Sequence, residues 1–225
     1  MVQKTTTMKL RIPKKENLIP LNFEYIDSTI DQYYRPYQGY FMRKRLELVF
    51  SQLGKKKVDR ILDVGYGGGT FIPMLSKLGK KIYGIDTMPY PKKVDAILKK
   101  EKINAELAIG SIFKSPYKDN FFDRITCVSV LEHFKGKEIN RAVKEMYRIL
   151  KPGGYLVIGS PVKNAMTDFI IDHFLSFNPD DIHPSGHKQI IKGIEEEVKI
   201  EKLIHYYPFM PLDFSLYFVA RVKKI

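Results

Sequence analysis

A glycine-rich segment directly follows a short apolar run and has the composition of a ligand-binding turn. The segment Asp63-Val64-Gly65-Tyr66-Gly67-Gly68-Gly69 places glycines at alternate positions after the run that begins at Ile61. Glycine lets the backbone bend sharply and approach a ligand without an intervening β-carbon. The spacing G-x-G-x-G departs from the G-x-G-x-x-G pattern of dinucleotide-binding turns. Taken alone, the segment predicts either a ligand-binding turn or only a tight turn.

A second group with chemical potential is the carboxylate of Asp86. It ends the next apolar run and lies 17 residues beyond Gly69. An ionised carboxylate at that place can accept hydrogen bonds from both ribose hydroxyls of an adenosine. Its alternative role is that of a solvated strand end or a helix cap. Because the glycine turn and Asp86 follow each other on consecutive predicted strands, together they indicate an adenosine-containing ligand.

The elements that must position these groups are short apolar runs that alternate with amphipathic stretches. Strands are predicted at 61–64, 81–86, 105–109, 124–131, 155–160, 199–206 and 214–222. Helices are predicted at 41–53, 71–78, 92–102, 139–150 and 188–197. Alternation of this kind is typical of an α/β fold with a mostly parallel sheet and helices on both faces. The last two strands are joined by a loop alone, which predicts an antiparallel hairpin at one edge of a seven-stranded sheet.

Further short motifs follow in a fixed order. Phe122-Asp123-Arg124-Ile125 begins the fourth strand, Leu131-Glu132-His133-Phe134 follows it, and Lys151-Pro152-Gly153-Gly154 precedes the fifth. With the glycine turn and Asp86, this ordered set resembles the class I S-adenosylmethionine-dependent methyltransferase family over residues 60–160. The resemblance implies a Rossmann-like form of the predicted sheet and S-adenosyl-L-methionine as the cofactor.

The resemblance also implies roles for individual residues. Asp63 and the glycine backbones would hold the amino-acid end of the cofactor, and Asp86 its ribose. The predicted cofactor-binding residues are Asp63, Gly65, Tyr66, Gly67, Gly69, Asp86, Thr87, Met88, Ser111, Ile112 and Leu131. Two positions depart from the family pattern: Ser111 stands where an acidic residue usually contacts adenine, and Tyr66 where a small residue or cysteine is frequent.

Two histidines are the candidate catalytic residues. His133 follows the fourth strand, where ligands of α/β sheets collect, and His183 belongs to a second polar cluster with His187. Histidine suits a general base for a hydroxyl or amine acceptor. The alternatives are that His133 only packs or caps a loop and that the second cluster is a turn before a helix. The sequence predicts no metal site.

The parts outside the motifs suggest how the site is covered. Residues 1–40 are predicted to form an N-terminal arm and cofactor-covering segment, and 41–225 the methyltransferase domain, with the insertion 161–186 as a lid over the acceptor. The arm is rich in tyrosine. We expect at least one ring among Tyr25, Tyr33, Tyr34 and Tyr37 to cover the site, with plain core packing as the alternative.

Composition narrows the classes of partner. The single cysteine, Cys127, excludes an intramolecular disulfide and is expected to be a buried, inert side chain. No apolar run reaches the ~18 residues that span a bilayer, and no secretory signal is evident, so a cytoplasmic location is expected. The net charge of +13 favours anionic partners, although lysine and glutamate are interspersed as on a heat-adapted surface.

Three functional hypotheses follow. The first is methyl transfer to a small-molecule or lipid-like acceptor, motivated by the apolar groups in 169–177. The second is RNA methylation, motivated by the positive charge, although the Asn/Asp-Pro-Pro-Tyr/Phe signature and an appended RNA-binding module are lacking. The third is a non-catalytic cofactor-binding regulatory domain, since a fold alone does not guarantee chemistry.

Overall fold

The computed structural model describes residues 10–18, 30–164 and 184–225, and these contain one seven-stranded sheet. Its strands are β1 Val58–Val64, β2 Gly79–Asp86, β3 Ala105–Ile109, β4 Phe122–Val128, β5 Leu150–Pro161, β6 Ile200–His205 and β7 Tyr217–Lys223. They lie in the order β3-β2-β1-β4-β5-β7-β6. The first five are parallel, and β7 runs antiparallel to β5 and β6. The predicted α/β, Rossmann-like sheet with its antiparallel C-terminal hairpin is confirmed.

Helices cover both faces of this sheet, as predicted. They are α1 Lys15–Leu18, α2 Pro36–Ser51, α3 Ile72–Leu75, α4 Pro91–Lys100, α5 Lys137–Ile149 and α6 His187–Glu195. Buried side chains of α5 and α6 form one core with the sheet, and those of α2, α3 and α4 form the other. Burial of these apolar stripes is the main stabilising contribution, because it removes apolar surface from water.

The predicted strand 124–131 is too long at its carboxyl end. β4 stops at Val128, since Ser129 has a φ of +54° that an extended strand does not accommodate. The chain then enters a short 3-10 helix, Leu131–His133. This break turns the residues after β4 away from the sheet and toward the edge where the other parallel strands end.

Other boundaries also differ from the sequence pattern. α2 begins at Pro36, five residues earlier than predicted, because proline is well tolerated at the first helical position. α3 ends at Leu75, before the predicted end at 78, because residues 76–78 form a turn that leads into β2. The turn predicted before the fifth strand, Lys151-Pro152-Gly153-Gly154, lies inside β5, where Gly153 has a φ of +74° and the register with β4 shifts.

The strand order determines where a ligand can enter. β1 lies between β2 and β4, and the connections leave β1 in one direction for β2 and β3 and in the other for β4 and β5. At such a reversal the loops after the strands diverge and leave a crevice at the carboxyl edge.

Among the described residues, no helix combines the length and apolar character that a membrane crossing needs.

Candidate active site

A cavity of about 650 Å³ lies at this carboxyl edge. Most of the predicted site residues line it: Asp63, Gly65, Tyr66, Gly67, Asp86, Thr87, Met88, Ser111, Ile112 and His133. Gly69 and Leu131 do not. The side chain of Leu131 is buried in the core, and Gly69 packs toward α4. The other candidate catalytic residue, His183, lies outside the described residues, as do Tyr25 and the segment 165–183 of the predicted lid.

The glycine turn is shaped by close approaches on two sides and open space on the third. A β-carbon on Gly65 would lie 2.3 Å from Val130 Cγ2, and one on Gly69 would lie 2.6 Å from Val94 Cγ1. Both residues have φ above +70°, which side chains rarely adopt. A β-carbon on Gly67 would meet no atom within 4 Å and would instead project into space beside the cavity. The turn therefore leaves the backbone at Gly67 bare beside the cavity.

The carboxylate of Asp86 is held rigidly at the end of β2. Its Oδ2 accepts a hydrogen bond from the backbone N–H of Gly67 at 2.8 Å, and its Oδ1 accepts one from that of Met88 at 3.0 Å. Each carboxylate oxygen retains further lone pairs for a ligand hydroxyl. The hydrogen bond from Gly67 to Asp86 ties the glycine turn to the neighbouring strand, and both line the same cavity.

Asp63 forms the floor of the cavity and is 3% exposed. Burial raises the pKa of this carboxyl from 3.8 to about 7, opposed by the Thr126 hydroxyl, which donates to Oδ1 at 2.7 Å, and aided by the negative charge of Asp86. A cationic ligand group beside Asp63 would favour the ionised form of this carboxyl. The cavity therefore offers an acidic floor for an ammonium and an acidic wall for hydroxyl groups.

The two residues that depart from the family pattern, Ser111 and Tyr66, both line the cavity. The Ser111 hydroxyl accepts a hydrogen bond from the Phe113 backbone N–H at 3.2 Å, which leaves its own O–H available to donate. The Tyr66 ring packs against Gly84, where a β-carbon would lie 2.6 Å from Tyr66 Cδ1. Burial raises the pKa of Tyr66 to about 12, and its buried hydroxyl has no hydrogen-bond partner among the described residues.

The segment after β4 contributes two different groups to the cavity. His133 is exposed and lies in its wall. Its neighbour Glu132 is 1% exposed, and its Oε2 accepts a hydrogen bond from Ser160 Oγ at 2.9 Å. Burial raises the pKa of Glu132. Sequence reasoning quoted Glu132 only as part of a motif and missed it as a buried polar group of the site.

The sequence also gave no indication of a polar cluster that lies between α2, β7 and the end of β4. Arg45 Nη1 donates to Ser129 Oγ at 3.0 Å, and Arg45 Nη2 donates to the Tyr33 hydroxyl at 2.7 Å. The Tyr217 hydroxyl lies 3.2 Å from Ser129 Oγ. Arg45, Tyr33 and Ser129 all line the cavity. No local pattern marks them, because Arg45 sits in an ordinary amphipathic helix and Ser129 inside an apolar run.

Two expectations about covering residues have different outcomes. Tyr33 lines the cavity and is buried, whereas the Tyr34 hydroxyl bonds the Pro13 carbonyl and Tyr37 is exposed. His187, which the sequence groups with His183, is the first residue of α6 and does not line the cavity; it is buried, and its Nε2 lies 2.7 Å from Asp213 Oδ1. No group of three or more potential metal ligands occurs in the described ranges.

Comparison with known proteins identifies relatives of this chain. Residues 62–158 match the family model described as a methyltransferase domain. An uncharacterized methyltransferase of Schizosaccharomyces pombe is 39% identical over 111 residues, which cover 45% of this chain and 39% of that protein. A ubiquinone biosynthesis O-methyltransferase of Alkalilimnicola ehrlichii is 32% identical over 123 residues, covering 53% and 49%. The chain thus spans less than half the length of these two relatives.

A solved structure shows the same fold. The crystal structure of the N-methyltransferase NodS from Bradyrhizobium japonicum, in complex with S-adenosyl-L-homocysteine, superposes with a TM-score of 0.60 and covers 84% of this chain and 88% of that chain. The sequence identity is 21%, so this likeness concerns the fold.

Proposed function

Because this chain belongs to the class I S-adenosylmethionine-dependent methyltransferase family, we propose that it transfers the methyl group of that cofactor to a small-molecule acceptor. One observation carries the proposal: a single cavity joins the carboxylates of Asp63 and Asp86 to the open backbone of Gly67. These groups are complementary to the ammonium, the ribose hydroxyls and the main body of S-adenosyl-L-methionine.

The residues that line the cavity offer a partner for each part of this cofactor. Asp86 would accept from the ribose hydroxyls, Asp63 would face the ammonium, and the Ser111 hydroxyl retains a donor for the adenine. A β-carbon at Gly67 would take up space beside the cavity. When bound, the cofactor supplies a methyl group that the positive charge on sulfur makes electrophilic.

The task left to the protein is to orient an acceptor and exclude water. Tyr33, just before α2, and Phe134, in the segment after β4, both line the cavity. His133 lies in the cavity wall. We propose that it acts as the general base that accepts the proton of an acceptor hydroxyl or ammonium. Glu132 is buried beside it and is held by Ser160, so it serves mainly to fix the segment.

The acceptor is best described as a small, partly apolar molecule. The cavity volume of about 650 Å³ falls within the usual range for small-molecule sites. Its lining also includes the apolar side chains of Ile30, Met42 and Phe113. The name of the Alkalilimnicola ehrlichii relative, an O-methyltransferase of ubiquinone biosynthesis, supports the same class. RNA methylation has only the net charge of +13 in its favour.

The cofactor half is tested by calorimetric titration with S-adenosyl-L-homocysteine. Loss of a hydrogen-bonding carboxylate in Asp86→Ala should weaken binding about 10-fold to 100-fold, at about 1.5–3 kcal/mol for bonds to a charged group. Asp59→Ala is the matched control, since this exposed carboxylate pairs with Lys80 at the opposite end of β1. Equal affinity of wild type and Asp86→Ala would contradict the proposal.

The transfer half is tested with methyl-labelled cofactor and a cell extract separated into small-molecule and RNA fractions. Label in the small-molecule fraction that His133→Ala diminishes is the expected result. Label confined to RNA would favour the second hypothesis. Cofactor binding without label transfer to either fraction would favour a non-catalytic regulatory domain.

A further inference from the structure

We propose that Glu101 is a positioning residue for the cofactor, because it anchors residues 10–18 against the side of the cavity that carries Asp86. The inference rests on the proposed function and adds to the cofactor site a residue that lies outside the cavity. Glu101 follows α4 directly and is 8% exposed. Since it does not line the cavity, it acts on a bound ligand only through other residues.

Glu101 is the meeting point of three residues from the start of the chain. Its Oε1 accepts hydrogen bonds of 2.7 Å from the backbone N–H of Lys14 and from Asn17 Nδ2. Arg11 Nη2 donates to the Glu101 carbonyl at 2.7 Å and lies 3.9 Å from Glu101 Oε2. One buried glutamate thus fixes residues 10–18 to the end of α4.

The position of Glu101 is electrostatically unfavourable without these partners. The carboxyl end of a helix carries partial negative charge, which favours cations such as the neighbouring Lys99 and Lys100 and disfavours an anion. Burial adds a further cost for an ionised carboxylate unless it is paired and hydrogen-bonded. The donors from residues 10–18 meet that requirement. Because a carboxylate at this place works against α4 itself, the interaction that it serves is the contact with residues 10–18.

Residues 10–18 reach the cavity through one apolar cluster. Leu18, Ile30 and Ile97 are buried together, and Met88 packs against them. Ile30 and Met88 also line the cavity. Ile97 lies in α4, one turn before the residue that anchors Leu18 and its neighbours. The cavity wall formed by Ile30 and Met88 is therefore supported by Leu18 and, through residues 10–18, by the glutamate after α4.

A hydrogen bond also ties residues 10–18 to the segment before α2. The Tyr34 hydroxyl donates to the Pro13 carbonyl at 2.5 Å. The residues just before Tyr34, which are Gln32 and Tyr33, line the cavity. Release of residues 10–18 would therefore remove support from this second stretch of the wall as well.

Met88 connects the supported wall to Asp86, the proposed ribose-binding carboxylate. The Met88 backbone N–H donates to Asp86 Oδ1 at 3.0 Å. Because the Met88 side chain packs on the cluster that contains Leu18, loss of that packing leaves the turn after β2 less constrained. An Asp86 carboxylate that is correctly oriented for a smaller fraction of the time binds the ribose hydroxyls more weakly.

The dissociation rate of S-adenosyl-L-homocysteine tests this inference. Surface plasmon resonance with the full chain immobilised measures the association and dissociation rate constants separately. Glu101→Ala removes the acceptor of both 2.7 Å hydrogen bonds, and we expect it to raise the dissociation rate constant about 10-fold to 100-fold. The association rate constant should change by less than about threefold. Glu101→Gln keeps an oxygen acceptor at the same place, so it should retain most of the wild-type residence time.

Further variants act from the other side of the contact or on the same helix. Arg11→Ala and Asn17→Ala leave Glu101 in place and should each raise the dissociation rate constant about threefold to tenfold. They keep the inference testable where Glu101→Ala does not fold. Lys99→Ala is the matched control, since it removes a mostly exposed charge of α4 that pairs with Asp95, and both rate constants should stay within about twofold.

Adenosine, which lacks the amino-acid end of the cofactor, shows where the effect acts. Glu101→Ala should weaken adenosine and S-adenosyl-L-homocysteine by the same factor, because the wall that it supports includes Met88 beside Asp86. Asp63→Asn should weaken only S-adenosyl-L-homocysteine at pH 8, because adenosine has no ammonium. A general loss of folded protein lowers the number of binding sites and leaves the rate constants of the remaining sites unchanged.

The outcomes separate this inference from the proposed function. Failure of the wild-type chain to bind S-adenosyl-L-homocysteine would overturn the proposed function itself. Intact wild-type binding with a dissociation rate that Glu101→Ala leaves unchanged would overturn only the role of Glu101. The same conclusion would follow from unchanged rates in both Arg11→Ala and Asn17→Ala, or from a loss of affinity that adenosine does not share.

Discussion

The buried carboxyl of Asp63 leads to the sharpest prediction, because one change should act on cofactor affinity and on stability in opposite directions. Asp63 is 3% exposed, and its pKa is raised to about 7. Asparagine has nearly the same shape and can still bond to the Thr126 hydroxyl, but it carries no charge. Asp63→Asn therefore removes the ionisation and leaves the packing of β1 in place.

The effect on stability has a definite sign. Between about pH 4 and 7 the folded chain keeps the Asp63 proton and the unfolded chain releases it, so this group lowers the free energy of unfolding as the pH rises. A shift from 3.8 to about 7 corresponds to about 4 kcal/mol over that interval. The difference in free energy of unfolding between the cofactor-free Asp63→Asn variant and wild type should therefore shift in favour of the variant by up to this amount from about pH 4 to 8. Urea unfolding measures this difference.

The effect on binding has the opposite sign. The ammonium of S-adenosyl-L-homocysteine favours the ionised carboxylate, so wild-type affinity should rise about tenfold from pH 6 to 8. Asp63→Asn should lose this rise and bind about 10-fold to 100-fold more weakly at pH 8. Calorimetric titration at both pH values measures the difference.

Two controls accompany this measurement. Thr126→Val removes the hydroxyl that favours the ionised form, so the rise in affinity should move to higher pH. Asp59→Asn changes a carboxylate at the other end of β1 and should leave the profile unchanged. A wild-type affinity that is flat across this range, or a rise that persists in Asp63→Asn, would refute the assignment of Asp63 to the ammonium.

The remaining predictions concern the glycine turn and His133. Gly69→Ala should lower the free energy of unfolding by about 1–3 kcal/mol, since it places a β-carbon 2.6 Å from Val94 at a φ of +73°; urea unfolding measures this. Gly67→Val should weaken S-adenosyl-L-homocysteine binding more than it lowers stability, because its side chain meets open space beside the cavity; unchanged affinity would speak against a ligand there. His133→Ala should reduce kcat about 100-fold or more with unchanged cofactor affinity if it accepts the acceptor's proton; an unaltered rate in single-turnover labelling would exclude that role.

Local patterns were enough to predict most of the residues that the structure brings together in one cavity. The glycine turn and Asp86 are recognisable because their roles depend on backbone freedom and on a charge at a strand end, both of which are written into adjacent residues. Alternating apolar periods predicted the parallel sheet and the final hairpin for the same reason. Errors occurred where one residue overrides a pattern: Ser129 ends β4 inside an apolar run, and Pro36 starts α2 before its apolar stripe.

The sequence by itself therefore determined the fold and the presence of the glycine turn and Asp86 at one edge of the sheet. Only the tertiary structure decided which polar groups meet around the end of β4, since Arg45 meets Ser129 from 84 residues away and Glu132 meets Ser160 across 28. It also determined that Asp63 is desolvated, because the pKa of a carboxyl depends on the burial that neighbouring strands impose. Contacts between distant segments leave no period in the chain, so their chemistry becomes visible only when the sheet brings its strand ends together.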